Sequence, residues 1–450
     1  MTATVHFSED RRQILHMSMG AFALLLRFLP WWVAAIVAGS AVAFNAYVLP
    51  RVAGHRLYRP VERSRRFPPG ILFYPIAVVL LILVFPDRPD IAAAAWGVMA
   101  FGDGAATFVG RRIDGRKIPW NQEKSIAGSV AFVVAGGAAG VFLAWWCRPA
   151  VMPPPYLWFS FVAPLLAVAV AAAVETLPIR LDDNISVPAS AAGVLWAVSL
   201  MSEDLLAGVP ALLAVSLPWA IAANVAAAML GYRARTVSAS GAATGTIIGI
   251  VIFVCAGWQG WLLLLATFAF AAITSRVGMR RKAVLGIAEE RGGRRGAGNA
   301  IANTGVAAVA ALLAVVTYAH DTALVAFVAA LTAGGSDTVA SEIGKAWGRR
   351  TYLITGLHAV PPGTSGALSL EGTAAGLAGA AALAGLGVIL NLVPVWTMPA
   401  IIGGAVAGSV AESVIGATLE APGIVNNDVL NWLNTAIAAF AATFLIGAAA

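Results

Sequence analysis

The chain has 450 residues, of which 60% are hydrophobic and 11% charged. Soluble domains carry about 25% charged residues, so this composition excludes a soluble globular protein and points to a polytopic membrane protein. The net charge of +7 does not signal nucleic-acid binding, because the basic residues are not interleaved with aromatic platforms. The two cysteines, Cys147 and Cys255, exclude a disulfide scaffold or a cysteine-rich metal site.

Arg11 and Arg12 precede an apolar run that lacks a small-residue cleavage site, so a retained first helix is expected rather than a signal peptide. A membrane pass needs about 20 apolar residues. On that basis the fold class is all-α, with fifteen helices at about 13–29, 31–49, 70–86, 91–110, 126–147, 157–177, 186–201, 205–230, 238–256, 258–276, 299–318, 322–345, 366–391, 394–416 and 429–449. Of the 29 basic residues, all but Arg27, Arg88 and Arg148 fall on alternate sides of these spans. They occupy the N-terminus and the loops at 50–69, 111–125, 178–185, 231–237, 277–298, 346–365 and 417–428, with their helix ends. The positive-inside rule makes those loops cytoplasmic and the C-terminus external.

The order of the helices suggests two parallel seven-helix repeats, with domains at 1–202 and 203–450. Seven is odd, and the extra helix at 205–230 restores the orientation of the second copy. Asp103 closes the fourth helix and Asp337 lies in its counterpart, the twelfth. Glu175 follows Asp103 by 72 residues, and Glu412 follows Asp337 by 75. Asp182-Asp183-Asn184 and Asn426-Asn427-Asp428 then precede the seventh and fifteenth helices. A carboxylate in a membrane costs roughly 2.5–3.5 kcal/mol at a helix centre, so it marks a site by default. Both sites fall on one cytoplasmic face, whereas an inverted-repeat transporter places its site near the midplane.

In the first half, Lys124 and Ser125 open a helix, where free amides, the positive dipole and a lysine charge suit a phosphate. Asp103, Glu175 and Asp183 offer carboxylates for Mg²⁺, which favours one or two of them together with substrate phosphates. Asp103 acting as a base toward an alcohol is the alternative. In the second half, Asp337, Glu342, Glu412 and Asp428 are the candidate metal ligands. The glycine-rich stretch Pro361 to Thr373 presents Thr364 and Ser365 as phosphate donors at a helix entrance. Arg294, Asn299 and Asn303 add donors near the start of the eleventh helix.

Gly102-Asp103-Gly104 through Gly110, Pro119-Trp120-Asn121 through Lys124-Ser125, Gly128-Ser129, Glu175 and Asp182 through Pro188 resemble the dolichol kinase and phytol kinase family. More distantly, Asp103, Ala106, Gly110, Lys124 and Gly128 are similar to CDP-diacylglycerol synthases. The resemblance covers about residues 10–200 and implies a CTP-dependent kinase of a polyprenol or phytol. Arg235 to Gly249, Glu290 to Gly305, Asp337 to Gly344, Pro361 to Gly376 and Glu412-Ser413 to Asn431 resemble the family that includes the chloroplast phytyl-phosphate kinase. That second resemblance covers about 230–445 and implies transfer of a nucleotide γ-phosphate to an isoprenyl monophosphate. Together they imply a bifunctional enzyme with Mg²⁺ as cofactor and a nucleoside triphosphate, CTP first among the candidates. Its other substrates would be an isoprenoid alcohol and its monophosphate, taken from the lipid. Asp103, Lys124 and Asp337 would be its catalytic residues. Two alternatives remain at this point: a CTP-dependent cytidylyltransferase making a CDP-linked lipid, and a membrane transporter.

Overall fold

The structure is a computed structural model that describes residues 9–52, 69–113, 115–177, 181–286, 294–420 and 424–448. Much of the basic loops at 50–69 and 277–298 lies outside the described residues. The chain divides into two compact units, Met1–Leu200 and Met201–Ala450. Among the described residues, eleven helices are long and apolar enough to cross a membrane.

The first unit begins with α1 (Glu9–Met19), which continues as a 3-10 turn to Arg27. Helices α2 (Trp31–Ala43) and α3 (Pro69–Val84) follow. The span Pro89–Gly110 is built from α4 (Pro89–Gly97), a π-helical turn over Val98–Asp103, and α5 (Gly104–Gly110). A short antiparallel hairpin, β1 (Lys117–Ile118) and β2 (Asn121–Ser125), leads into α6 (Ile126–Cys147). Helices α7 (Leu157–Glu175) and α8 (Asp183–Ser199) complete the unit.

The second unit starts with α9 (Glu203–Arg233) and α10 (Ala239–Arg276). Gly257 interrupts α10 with φ +69°, a conformation suited to glycine, at the point between the expected spans 238–256 and 258–276. After α11 (Met279–Val284) and α12 (Ala297–Val316) comes α13 (His320–Trp347). The antiparallel hairpin β3 (Thr351–Leu353) and β4 (Ala367–Ser369) leads into α14 (Leu370–Ile389). Helices α15 (Met398–Ile415) and α16 (Asn427–Gly447) close the unit.

A helix that is apolar on every side is buried by neighbours rather than laid against water. Pro89–Gly110 and α13 fit that description, since 72% of the apolar window of each is buried. Ile91 to Ala95 and Phe327 to Leu331 are almost wholly enclosed. Each unit therefore wraps one central span, and the cytoplasm-facing end expected for that span carries Asp103 in one unit and Asp337 in the other. The remaining spans expose Leu, Val, Phe and Trp side chains, as a lipid-facing surface requires.

Several boundaries differ from the sequence expectation. Helix α8 begins at Asp183 rather than 186, because Asp182 caps it and accepts the Asn184 amide at 3.0 Å. Asp183 thus belongs to the first helical turn and not to the loop. Helix α14 begins at Leu370 rather than 366. Pairing of β4 with β3 holds Ala367–Ser369 extended, and Ser369 caps the helix by accepting from Gly372 N.

Candidate active sites

In the first unit, the π turn ends on Asp103. Such widened turns re-aim side chains and recur at functional sites. Close packing fixes this one: a Cβ at Gly102 would lie 3.1 Å from the Phe132 ring, and one at Gly104 only 2.4 Å from Met17 Cγ. The second contact brings α1 against the turn, and His16 Nε2 stands 3.7 Å from Asp103 Oδ2. His16 packs edge-on against Tyr74, whose hydroxyl accepts from Trp96 Nε1 at 2.8 Å and donates to the His16 carbonyl at 3.3 Å.

The hairpin delivers Lys124. Trp120 Nε1 donates to Thr176 Oγ1 at 3.3 Å, and Asn121 Nδ2 donates to the Thr176 carbonyl at 3.2 Å, so β2 is clamped to the end of α7. Lys124 Nζ then donates to Glu175 Oε1 and, at 3.0 Å, to Asp183 Oδ2. One oxygen each from Asp103, Glu175 and Asp183 lies within 4.8 Å of the others. Burial alone would lower the Lys124 pKa, but the Asp183 and Glu175 carboxylates outweigh it and raise the pKa, so the ammonium stays charged at neutral pH. Ser125, expected to bind phosphate, is instead buried and committed to the helix: its Oγ accepts the Gly128 amide at 3.1 Å. Thr176, His16, Tyr74 and Trp96 were not singled out as site residues from sequence. His16 lies in a helix that already carries Glu9, Asp10, Arg11 and Arg12, where one more ionisable group does not stand out.

The second unit holds a cavity of about 400 Å³. Asp337, Lys345, Thr364, Ser365, Glu412 and Glu420 line its polar part, while Leu377, Val406 and Val410 line its apolar part. Asp337 and Glu412 both face this cavity. Asn434 Nδ2 donates to Glu412 Oε2 at 2.7 Å, and Ser365 Oγ donates to Glu420.

Three expectations need correction here. Glu342 is not a free ligand, because its carboxylate is buried between Lys282 Nζ at 2.5 Å and Lys345 Nζ at 3.2 Å. Asp428 is not in the cavity lining; it sits in the first turn of α16 beside Gly298, where a Cβ would lie 2.2 Å from Asp428 Oδ2. The expected ligand set Asp337, Glu342, Glu412 and Asp428 is therefore not assembled, and of the four only Asp337 and Glu412 line the cavity. Thr364 and Ser365 do line the cavity, but from the turn before β4 rather than from a helix entrance; Thr364 Oγ1 donates to the Pro361 carbonyl at 2.7 Å. Arg294, Asn299 and Asn303 are not in the lining either. Asn299 accepts from Arg295 Nη1 at 3.3 Å, and Asn303 Nδ2 donates back to the Asn299 carbonyl at 2.9 Å.

The two units share one local arrangement. A Cβ at Gly110 would meet Ser125 Oγ at 3.1 Å and Gly128 Cα at 3.7 Å, and a Cβ at Gly344 would meet Ser369 Oγ and Gly372 Cα at the same two distances. In both, the span carrying the aspartate crosses the start of the next helix over a pair of glycines and a capping serine. The residue before the cap differs: Lys124 in one unit, Leu368 in the other.

Comparison with known proteins adds the following. Residues 222–439 match the model of a family described as integral membrane protein DUF92. An uncharacterized membrane protein of Synechocystis is 40% identical over 202 residues, 43% of this chain and 76% of that protein. Protein VTE6 of Arabidopsis thaliana, a chloroplastic protein, is 37% identical over 46% of this chain and 65% of its own length. Probable phytol kinase 3 of Glycine max, also chloroplastic, is 37% identical over 26% of this chain and 38% of its own length. The chain thus spans less than two thirds of VTE6 and less than half of that phytol kinase. No solved structure matches.

Proposed function

Because this chain belongs to the integral membrane protein family DUF92 and has phytol kinases among its relatives, we propose that it is a membrane-embedded isoprenoid kinase with two active sites. The first unit converts an isoprenoid alcohol of the phytol type to its monophosphate, and the second converts the monophosphate to the diphosphate. The donor is a nucleoside triphosphate, with CTP favoured by the resemblance to polyprenol kinases. In this reading the chain makes fifteen passes as two parallel seven-helix repeats joined by α9, and both sites open to the cytoplasm. The matched geometry of Gly110, Ser125 and Gly128 with Gly344, Ser369 and Gly372 supports a common origin.

The observation that carries the reading is the grouping of Asp103, Glu175 and Asp183 around Lys124 at the start of α6. Phosphoryl transfer needs little covalent help from a protein; it needs positioning and neutralised charge. Lys124 offers a fixed cation to the phosphates at the start of α6, where the helix dipole adds positive potential. The carboxylates fit Mg²⁺, a hard ion with oxygen ligands at about 2.0–2.1 Å. Glu175 and Asp183 would hold it, leaving Asp103 as the base; when bound it would neutralise charge on the phosphates. The alcohol oxygen forms its bond to the γ-phosphorus as the bond to the β-phosphate oxygen breaks, and the hydroxyl proton passes to Asp103, which His16 flanks. In the second unit the acceptor is already an anion and needs no base, so Asp337 and Glu412 would hold Mg²⁺ there.

Purified full-length protein incubated with phytol, Mg²⁺ and CTP labelled in the γ-phosphate tests the reading. Label should enter phytyl monophosphate first and diphosphate later, with release of CDP. Labelled pyrophosphate with an unlabelled lipid product would instead establish cytidylyl transfer and sink the kinase assignment.

A further inference from the structure

Lys345 lines the second unit's cavity, and among the described residues lining it this is the one cation. Its side chain is 30% exposed, with Nζ 3.2 Å from Glu342 Oε1. The other oxygen of Glu342 accepts from Lys282 Nζ at 2.5 Å, and Lys282 also donates to the carbonyls of Ser275 at 2.8 Å and Thr274 at 3.4 Å. Lys282 is 1% exposed and Glu342 3%. One buried carboxylate thus sits between two ammonium groups, and Glu342 alone does not neutralise both. Lys282 is shut away in the protein, so Lys345 is the ammonium that reaches the cavity.

The rest of the lining needs it. Asp337, Glu412 and Glu420 place three carboxyl groups around the same space, which by themselves would repel an anion. The lining nonetheless offers the hydroxyl of Ser341 as a donor. Leu377, Val406 and Val410, all at least 40% exposed, form an apolar flank. The ligand this suits has an anionic head and an apolar chain. We propose that Lys345 is the anion-binding cation of the second site, receiving the phosphate of an isoprenyl monophosphate, and that Glu342 is a positioning residue anchored by Lys282. The identity of the ligand rests on the kinase reading above. The lysine of this site therefore comes from the end of α13, whereas the lysine of the first site comes from the hairpin.

Full-length protein in lipid nanodiscs is titrated calorimetrically with phytyl monophosphate, and with phytol as the uncharged control. Removing a charge-assisted contact should weaken monophosphate binding about 10- to 100-fold in Lys345→Ala, leave phytol binding unchanged, and be largely restored in Lys345→Arg. Glu342→Gln should weaken binding less, and its effect should vanish in the Lys345→Ala background, because it acts through the lysine. Independent effects in that cycle would reduce Glu342 to a packing role and overturn the positioning claim. Amine acylation of the wild-type protein, read at Lys345 by mass spectrometry, supplies a measurement that needs no variant: phytyl monophosphate should protect the lysine and phytol should not. If wild type converts monophosphate to diphosphate while Lys345→Ala binds monophosphate normally, the inference fails and the kinase reading stands. If wild type binds monophosphate through Lys345 but transfers no phosphate, the kinase reading fails and the inference stands. Absence of monophosphate binding by wild type would overturn both.

Discussion

Lys124 Nζ lies 3.0 Å from Asp183 Oδ2 while also donating to Glu175, so one ammonium ties together the hairpin, the end of α7 and the start of α8. The contact between residues 59 positions apart in sequence is made possible by two local devices. Asp182 caps α8 and turns Asp183 toward the lysine, and Asn121 and Trp120 clamp the hairpin to Thr176. A cation held in this way is preorganised for phosphate and also stabilises the carboxylates that surround it.

Replacing Lys124 should therefore affect both function and stability. Lys124→Met leaves Glu175, 3% exposed, without its partner. The loss should cost about 1.5–3 kcal/mol of stability and lower alcohol phosphorylation at least 100-fold in kcat/KM, with conversion of supplied monophosphate retained. Thermal unfolding in detergent and the two product assays check this. Unchanged stability with unchanged kinetics would show that the ion pairs have no role in the folded, working protein.

The two aspartates should silence separate reactions. Asp103→Asn removes one carboxylate from the first unit's trio, so monophosphate formation should fall by at least 100-fold while supplied monophosphate is still converted. Asp337→Asn should do the reverse, and monophosphate should accumulate from phytol. Loss of both reactions in either folded variant would contradict a two-site enzyme.

The acidic positions were legible in the sequence because a carboxylate stands out against an apolar background. Their surroundings were not, and the reason differs from residue to residue. Glu342 reads as a ligand until Lys282, 60 residues away on the short helix α11, is found on it. Lys345 sits beside a basic loop, where topology already accounts for positive charge, so nothing in the sequence separates it from Arg349 and Arg350. Thr364 and Ser365 were assigned to a helix entrance because glycine-rich polar stretches often precede helices. The pairing of β4 with β3, a contact across a turn, moves that entrance to Ser369.

Lys282 offers a test of the buried pair itself. Lys282→Met should destabilise the protein by about 1.5–3 kcal/mol, because it removes one of the two charge-assisted contacts of a buried carboxylate. Lys282→Met combined with Glu342→Gln should recover a substantial part of that loss, since no carboxylate is then left buried with one oxygen unpartnered. Thermal unfolding of the single and double variants measures the difference. A double variant as unstable as the single one would show that the packing of α11 matters, and not the ion pair.

Orientation is open to direct measurement. Cysteines at Arg116 and Arg350, both exposed, should be labelled from the cytoplasmic side by a membrane-impermeant maleimide, in a background without Cys147 and Cys255. Thr351 is a poorer position, being 8% exposed in β3. Labelling of the two positions from opposite sides would rule out parallel repeats, whatever the enzymatic result.

The glycine pairs at the helix crossings give the sharpest contrast between the two sites. A methyl at Gly128 would meet the Ala106 carbonyl at 3.0 Å and Gly110 Cα at 3.6 Å, whereas one at Gly372 would meet the Ala340 carbonyl at 2.6 Å and Gly344 Cα at 3.1 Å. Backbone cannot swing aside as a flexible side chain can, so Gly372→Ala must push α13 and α14 apart. Overpacking of this kind costs about 1–3 kcal/mol, and here it would displace Asp337 from Glu412. Gly372→Ala should lower Tm and abolish diphosphate formation while sparing the first reaction. Gly128→Ala, with less to displace, should cost less stability and leave part of its reaction intact. Equal tolerance of both substitutions would mean that these crossings do not hold the aspartates in place, and the matched glycines would then report shared helix packing without shared chemistry.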